Sequence, residues 1–193
     1  GATLQLQGGK NFATETLTIA GQGVSNSGVL RSISGNNTWN GDITVGSGAL
    51  TRVAADADTL TLAGNVTLST TAGDQLVLQG AGNIDVTGQI TGASRVTSSS
   101  TGAGIRTLSN ASNDYAGDTG GNGGVLQAGV TNALPYGTGK GNLVLNGGSY
   151  AVGVFNLNGY DVATNGLAGT SGTFVGEVVN NADGTTKTLT IGY

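Results

Sequence analysis

The stretch Leu60-Thr61-Leu62-Ala63-Gly64 sets two leucines at alternate positions and closes with glycine, and Leu76-Val77-Leu78-Gln79-Gly80 repeats the arrangement. Alternation sends the leucines to one face of a short strand and the Thr and Gln side chains to the other, and glycine then permits a turn. Six more copies occur, at Leu4/Leu6/Gly8, Leu17/Ile19/Gly21, Ile84/Val86/Gly88, Leu143/Leu145/Gly147, Phe155/Leu157/Gly159 and, compressed, Leu189/Ile191/Gly192. Units this short bury their apolar face only by stacking on one another. The repeat therefore predicts an all-β chain, a parallel β-helix or β-solenoid, as a single rod-like domain over residues 1–193.

Composition agrees with a thin, repetitive interior. Only 9% of residues are charged, 37 are glycine and one is proline, against about 25% charged in an ordinary domain. Cysteine and histidine are absent, which removes disulfides, thiolate nucleophiles, the usual zinc sites and any imidazole base. No cofactor is expected. A net charge of −4 without a Lys/Arg cluster disfavours nucleic acid and anionic membrane as partners. No apolar run approaches the roughly 20 residues that span a bilayer, and no leader pattern opens the chain, so membrane insertion by this segment is not expected. Methionine is also absent, which predicts that Gly1 arises by processing or excision from a longer precursor.

A longer duplication overlies the short unit. Leu30-Arg31-Ser32-Ile33-Ser34 matches Ile105-Arg106-Thr107-Leu108-Ser109 at an offset of 75. One residue later in register, Asn37 matches Asn113, Trp39 matches Tyr115, Gly41-Asp42 matches Gly117-Asp118, Gly48 matches Gly124 and Leu50 matches Leu126. The duplicated blocks span about 30–50 and 105–126. With coils of roughly 20 to 30 residues, this period predicts about three coils, and the chain seven to nine. Ala54 to Asp58 and Val130 to Leu134 read as loops or single helical turns, with Pro135 marking the second.

The segments Ser34-Gly35-Asn36-Asn37-Thr38-Trp39-Asn40-Gly41-Asp42-Ile43-Thr44-Val45 and Ser112-Asn113-Asp114-Tyr115-Ala116-Gly117-Asp118-Thr119 resemble the autotransporter-associated β-strand repeat. Gly48-Ala49-Leu50, Gly124-Val125-Leu126, Asn132-Ala133-Leu134-Pro135 and Thr188-Leu189-Thr190-Ile191-Gly192 resemble the elements that follow. The second copy departs from the pattern where Gly120-Gly121-Asn122 replaces an alternating strand. The resemblance implies a right-handed parallel β-helix in the secreted stalk of a large bacterial surface protein. It implies no catalytic residues.

Other groupings have simpler readings than the chemistry they spell. Asp118-Thr119-Gly120 matches the aspartic-protease triplet, but the duplicated position reads Asp42-Ile43-Thr44, so a turn aspartate is expected. Gly137-Thr138-Gly139-Lys140-Gly141 lacks the first glycine and the Ser/Thr of a phosphate loop and reads as a turn. Asp56, Asp58 and Asp74 could converge on calcium but are expected to be solvated. The eleven acidic residues are scattered, without the paired carboxylates and sugar platform of a glycan hydrolase. Asn36, Asn65 and Asn110 begin Asn-x-Ser/Thr triplets that a Thr-rich chain produces by chance. Asn37 and Asn113 are candidates for stacked amide ladders. Trp39 and Tyr115 would stack on a glycan if exposed, and otherwise fill the coil interior.

The repeat and the lack of a catalytic constellation predict a non-enzymatic structural role, and the resemblance implies a stalk at the bacterial cell surface, secreted across the outer membrane. Its partners would be neighbouring β-helical modules or copies of itself, with surface glycans as a further possibility. The alternatives are an extracellular filament joined by strand edges around Leu4, Leu6, Leu189 and Ile191, and a glycan-binding adhesin using Trp39 and Tyr115.

Overall fold

A computed structural model describes residues 1–48, 50–100, 102–147, 152–169 and 176–192. Ala49 of the first duplicated block and Tyr193 of the closing segment lie outside the described residues. Seven of the eight short units lie within strands, in the eighth Phe155 lies on a strand that ends just before Leu157, and every strand pairing is parallel. Among the described residues the chain is a β-solenoid with three long sheets and a two-stranded pair.

The first sheet stacks Leu4–Gln7, Leu30–Ser34, Leu50–Ala55, Gln75–Gly80, Arg95–Ser100, Thr119–Asn122, Leu143–Asn146 and Leu167–Gly169. The second stacks Asn11–Phe12, Asn37–Trp39, Thr59–Leu62, Asn83–Val86, Ile105–Leu108, Gly124–Ala128, Gly153–Asn156 and Gly176–Val179. The third holds Leu17–Ile19, Ile43–Val45, Val66–Thr67, Ile90–Gly92 and Asp114–Tyr115. Val162–Thr164 and Leu189–Ile191 form a separate pair. Eight layers at the inter-strand spacing give a stack about 34 Å long. Val24–Asn26 forms one 3-10 turn.

Alternation within each strand becomes continuous columns across coils. Leu60, Ile84, Arg106, Leu126 and Phe155 follow one another in register along the second sheet, all 0% exposed. Beside them run Trp39, Leu62, Val86, Leu108 and Ala128. Burying each large aliphatic side chain stabilises the stack by about 1.5–3 kcal/mol. Where the second duplicated block replaces an alternating strand by Gly120-Gly121-Asn122, pairing stays in register on both sides. Gly121 adds no side chain there, and Leu145 of the next coil occupies the space its Cβ would need.

The third sheet stops after Tyr115. In the following coil its place is taken by the loop around Val130 to Asn142, whose Ala133 and Leu134 are buried in the core at 0% and 2% exposure. The loop reading of Val130 to Leu134 agrees, although its two apolar residues serve as a plug. Ala54 and Ala55, read as part of a loop, instead end a strand, and the turn begins at Asp56.

The 76-residue period is about three coils, as expected, but not a whole number of them. Leu30–Ser34 lies on the first sheet but Ile105–Leu108 on the second, Asn37–Trp39 on the second but Asp114–Tyr115 on the third, and Ile43–Val45 on the third but Thr119–Asn122 on the first. The duplicate is advanced by three coils and one further face. Inward positions also follow an offset of 76 throughout: Leu30 and Ser32 are buried in the first block, Arg106 and Leu108 in the second. The offset of 75 aligns similar letters on opposite faces.

Candidate functional site

Glycine and a following Asp, Asn or Gln recur at the corners: Gly41-Asp42, Gly64-Asn65, Gly88-Gln89, Gly117-Asp118 and Gly141-Asn142. The glycines sit in columns. A Cβ on Gly64 would overlap the Gly41 carbonyl oxygen, and one on Gly88 would overlap that of Gly64. Gly64 and Gly88 have no left-handed φ, so close stacking, not turning, requires them.

The side chains after these glycines tie each coil to the next. Asp42 Oδ1 accepts the Asn65 backbone N–H at 2.9 Å, and Asn65 Oδ1 accepts that of Gln89 at 3.2 Å. Asp118 Oδ1 accepts the Asn142 N–H at 2.8 Å. Asn36, Asn83 and Asp161 accept from Thr59, Ile105 and Thr188 in the same sense. At a turn these N–H groups have no strand partner, and each bond removes an orphan donor. Asp118 is thus the turn aspartate expected after Gly117.

Asn37 and Asn113 do not form an amide ladder. Asn37 Oδ1 accepts the Lys10 N–H at 2.8 Å while its Nδ2 donates to Ser32 Oγ at 2.9 Å and to the Ser34 and Gly35 carbonyls at 3.0 Å. Asn113 accepts from the Ile90 N–H and donates to the Ala133 carbonyl, each at 2.8 Å. Both are buried clamps between coils.

Trp39 and Tyr115 are interior residues, 4% and 0% exposed. Trp39 stacks on Phe12 with ring centroids 5.0 Å apart. Tyr115 shares a 2.5 Å hydrogen bond with the Thr119 hydroxyl, and burial pushes its phenol well above the ordinary range. Both rings fill the coil interior, and neither presents the exposed ring face that stacking on a glycan requires. The other candidate residues separate. Leu6 is buried at 2% and Leu189 half-buried, while Leu4 and Ile191 are 41% and 49% exposed.

The three aspartates considered for calcium are engaged apart from one another. Asp56 pairs with the Arg31 guanidinium at 2.6 Å, Asp58 accepts the Gly35 N–H at 2.6 Å, and Asp74 accepts the Ser69 hydroxyl at 2.6 Å. Among the described residues no three acidic groups converge on a point where a cation could sit. Lys140 of the Gly-rich turn binds Asp114 at 2.6 Å, and Asn165 grips the turn through the Gly137 N–H and the Gly137 and Lys140 carbonyls.

Arg106 was not legible as an interior residue. It occupies the inward slot of the second sheet and donates to the carbonyls of Leu78 at 3.2 Å, Gly82 at 2.7 Å and Gly80 at 2.5 Å. Burial pulls its guanidinium down to about 10. A Cβ on Gly104 would crowd the guanidinium, so Gly104 keeps its space open.

Surface concavities accompany this frame. An apolar hollow of about 370 Å³ is lined by Leu167, Ala168, Gly169, Gly176 and Val178, on the last strands of the first two sheets, and by Leu145 on the strand before. A polar groove of about 210 Å³ lies on the outer face of the second sheet. Thr59, Asn83, Asp85, Ile105, Thr107 and Gln127 line it across four successive strands. Comparison with known proteins finds no matching family model, no matching curated protein and no matching solved structure.

Proposed function

We propose that the chain is a structural stalk segment of a secreted bacterial cell-surface protein, in the manner of an autotransporter passenger. The observation that carries this reading is the corner ladder, in which Asp42, Asn65 and their equivalents receive backbone N–H groups of the next coil. Each completed coil thereby presents both strand edges and side-chain acceptors to the one that follows. Folding then advances one coil at a time as chain emerges outside the cell, and the ordered part resists return. The repeat segments around Trp39 and Tyr115 supply the family likeness that adds secretion to this mechanical role.

Fusing the chain to an outer-membrane translocator tests the proposal. The expected result is full-length chain at the cell surface, folded and removable by external protease. Retention in the periplasm would overturn it.

A second reading, end-to-end assembly into a filament, is favoured by exposed Leu4 and Ile191 on strands that pair on one side only among the described residues. Light scattering over a concentration series separates the readings: growth that Leu4→Lys abolishes supports the filament, and a constant mass opposes it.

A further inference from the structure

The outer face of the second sheet carries two columns of side chains in register. Thr59 lies beside Asn83, whose Oδ1 takes the Ile105 N–H at 2.9 Å. The other column runs Thr61, Asp85, Thr107 and Gln127. Asp85 Oδ1 accepts the Ser109 hydroxyl at 2.6 Å, and Gln127 Nε2 donates to Thr107 Oγ1 at 3.2 Å. These bonds hold the planar groups of Asn83, Asp85 and Gln127 at fixed positions on a rigid sheet.

Asn83, Asp85 and Thr107 keep capacity to spare, while Gln127 Oε1 accepts Asn156 Nδ2 at 3.5 Å. Among the described residues, Asn83 Nδ2 and Asp85 Oδ2 make no hydrogen bond to protein, and the Thr107 hydroxyl accepts one while its own proton remains to be donated. Pre-ordered donors and acceptors of this kind bind hydroxyl groups without a further ordering cost. Half-buried Ile105 and the threonine methyls add apolar contact for the C–H faces of a sugar ring. The lining contains one charge, that of Asp85, which repels anionic ligands.

We propose that this groove binds a neutral oligosaccharide laid along the coil axis. Four strand positions span about 14 Å, the scale of a short oligosaccharide. The site is distinct from Trp39 and Tyr115 and depends on the observed sheet face, not on the stalk assignment.

The test is a titration of the isotopically labelled chain followed by amide resonances, using cellotetraose, mannotetraose and chitotetraose, with sialyllactose as the acidic comparison. The expected result is saturable shifts of the Asn83 and Gln127 side-chain amides with at least one neutral tetrasaccharide, at a dissociation constant on the order of 1 mM or tighter. Asp85→Ala should weaken that binding about tenfold or more. Gln127→Ala is the second variant should Asp85→Ala fail to fold, and Thr44→Ala, on the third sheet, should leave affinity unchanged. The proposal is overturned by any of three results. They are no shift with any neutral probe, affinity unaffected by the groove variants, or sialyllactose binding as tightly as the neutral probes.

Discussion

Asp42 and Asp118 do the same work on different faces of the solenoid. Asp42 precedes a strand of the third sheet and Asp118 a strand of the first, yet each accepts the backbone N–H of a residue one coil ahead, at 2.9 Å and 2.8 Å. The duplicated sequence therefore encodes a corner, and the corner functions wherever the winding places it.

Replacing either aspartate by alanine orphans a turn N–H and should cost about 1 kcal/mol, with the two losses additive because the sites share no partner. Asp42→Asn and Asp118→Asn keep the accepting oxygen and should lose much less. Chemical denaturation of the four single variants and the double alanine variant measures this.

Gly64 and Gly88 test close stacking. Gly64→Ala and Gly88→Ala force a Cβ against a carbonyl of the coil below and should destabilise by about 3 kcal/mol, at the upper end for single substitutions. Gly73, which has open space around its Cβ position and no left-handed φ, is the control. Gly73→Ala should be neutral or stabilise by up to about 1 kcal/mol. Thermal melts distinguish the two groups.

Arg106 stands where the first block has Leu30. Arg106→Leu removes donors from the carbonyls of Leu78, Gly80 and Gly82 and should cost about 2 kcal/mol, the lost bonds outweighing the relief of a buried charge. Arg106→Ala adds a cavity and should cost about 2 kcal/mol more. Arg106→Lys should not restore stability, because an ammonium cannot copy the planar fork. Urea midpoints rank the three.

Tyr115 makes stability depend on alkaline pH. Burial raises its phenol above the ordinary value of 10, so the unfolded chain gives up this proton while the folded chain keeps it. The stabilisation is complete below pH 10 and is lost as pH rises toward the folded value. Arg106 acts in the opposite sense: its folded value, about 10, lies below 12.5, so stability gains between those limits. Comparing wild type with Tyr115→Phe cancels the arginine, and the wild type should lose more stability between pH 9 and pH 11, at values flanking the phenol's ordinary 10.

Strand identity was legible because Leu60/Leu62 and its seven counterparts alternate cleanly and end at glycine. The corners were legible as letters, in Gly41-Asp42 and Gly117-Asp118, but not as a ladder, since their acceptors bond residues of the next coil. The shift of face was hidden by variable coil length. Gln75 pairs with Arg95, 20 residues on, whereas Gly124 pairs with Gly153, 29 residues on. Arg106 was hidden by chemistry: Ile105-Arg106-Thr107-Leu108 puts an arginine inward and an isoleucine outward, against hydrophobicity, and only the carbonyls of Leu78, Gly80 and Gly82 make that placement stable. The polar groove lies in outward residues whose spacing in sequence carries no signal until the coils are stacked.

Pulling a single molecule from its two ends tests most directly whether the coils are successive templates. The account predicts a ladder of release events, each freeing about one coil, roughly 80 Å of extended chain, and refolding that retraces the ladder from the intact end. Asp118→Ala should lower the force of the event at its own corner. A single collapse of the whole chain at one force, with refolding that follows no order, would contradict it.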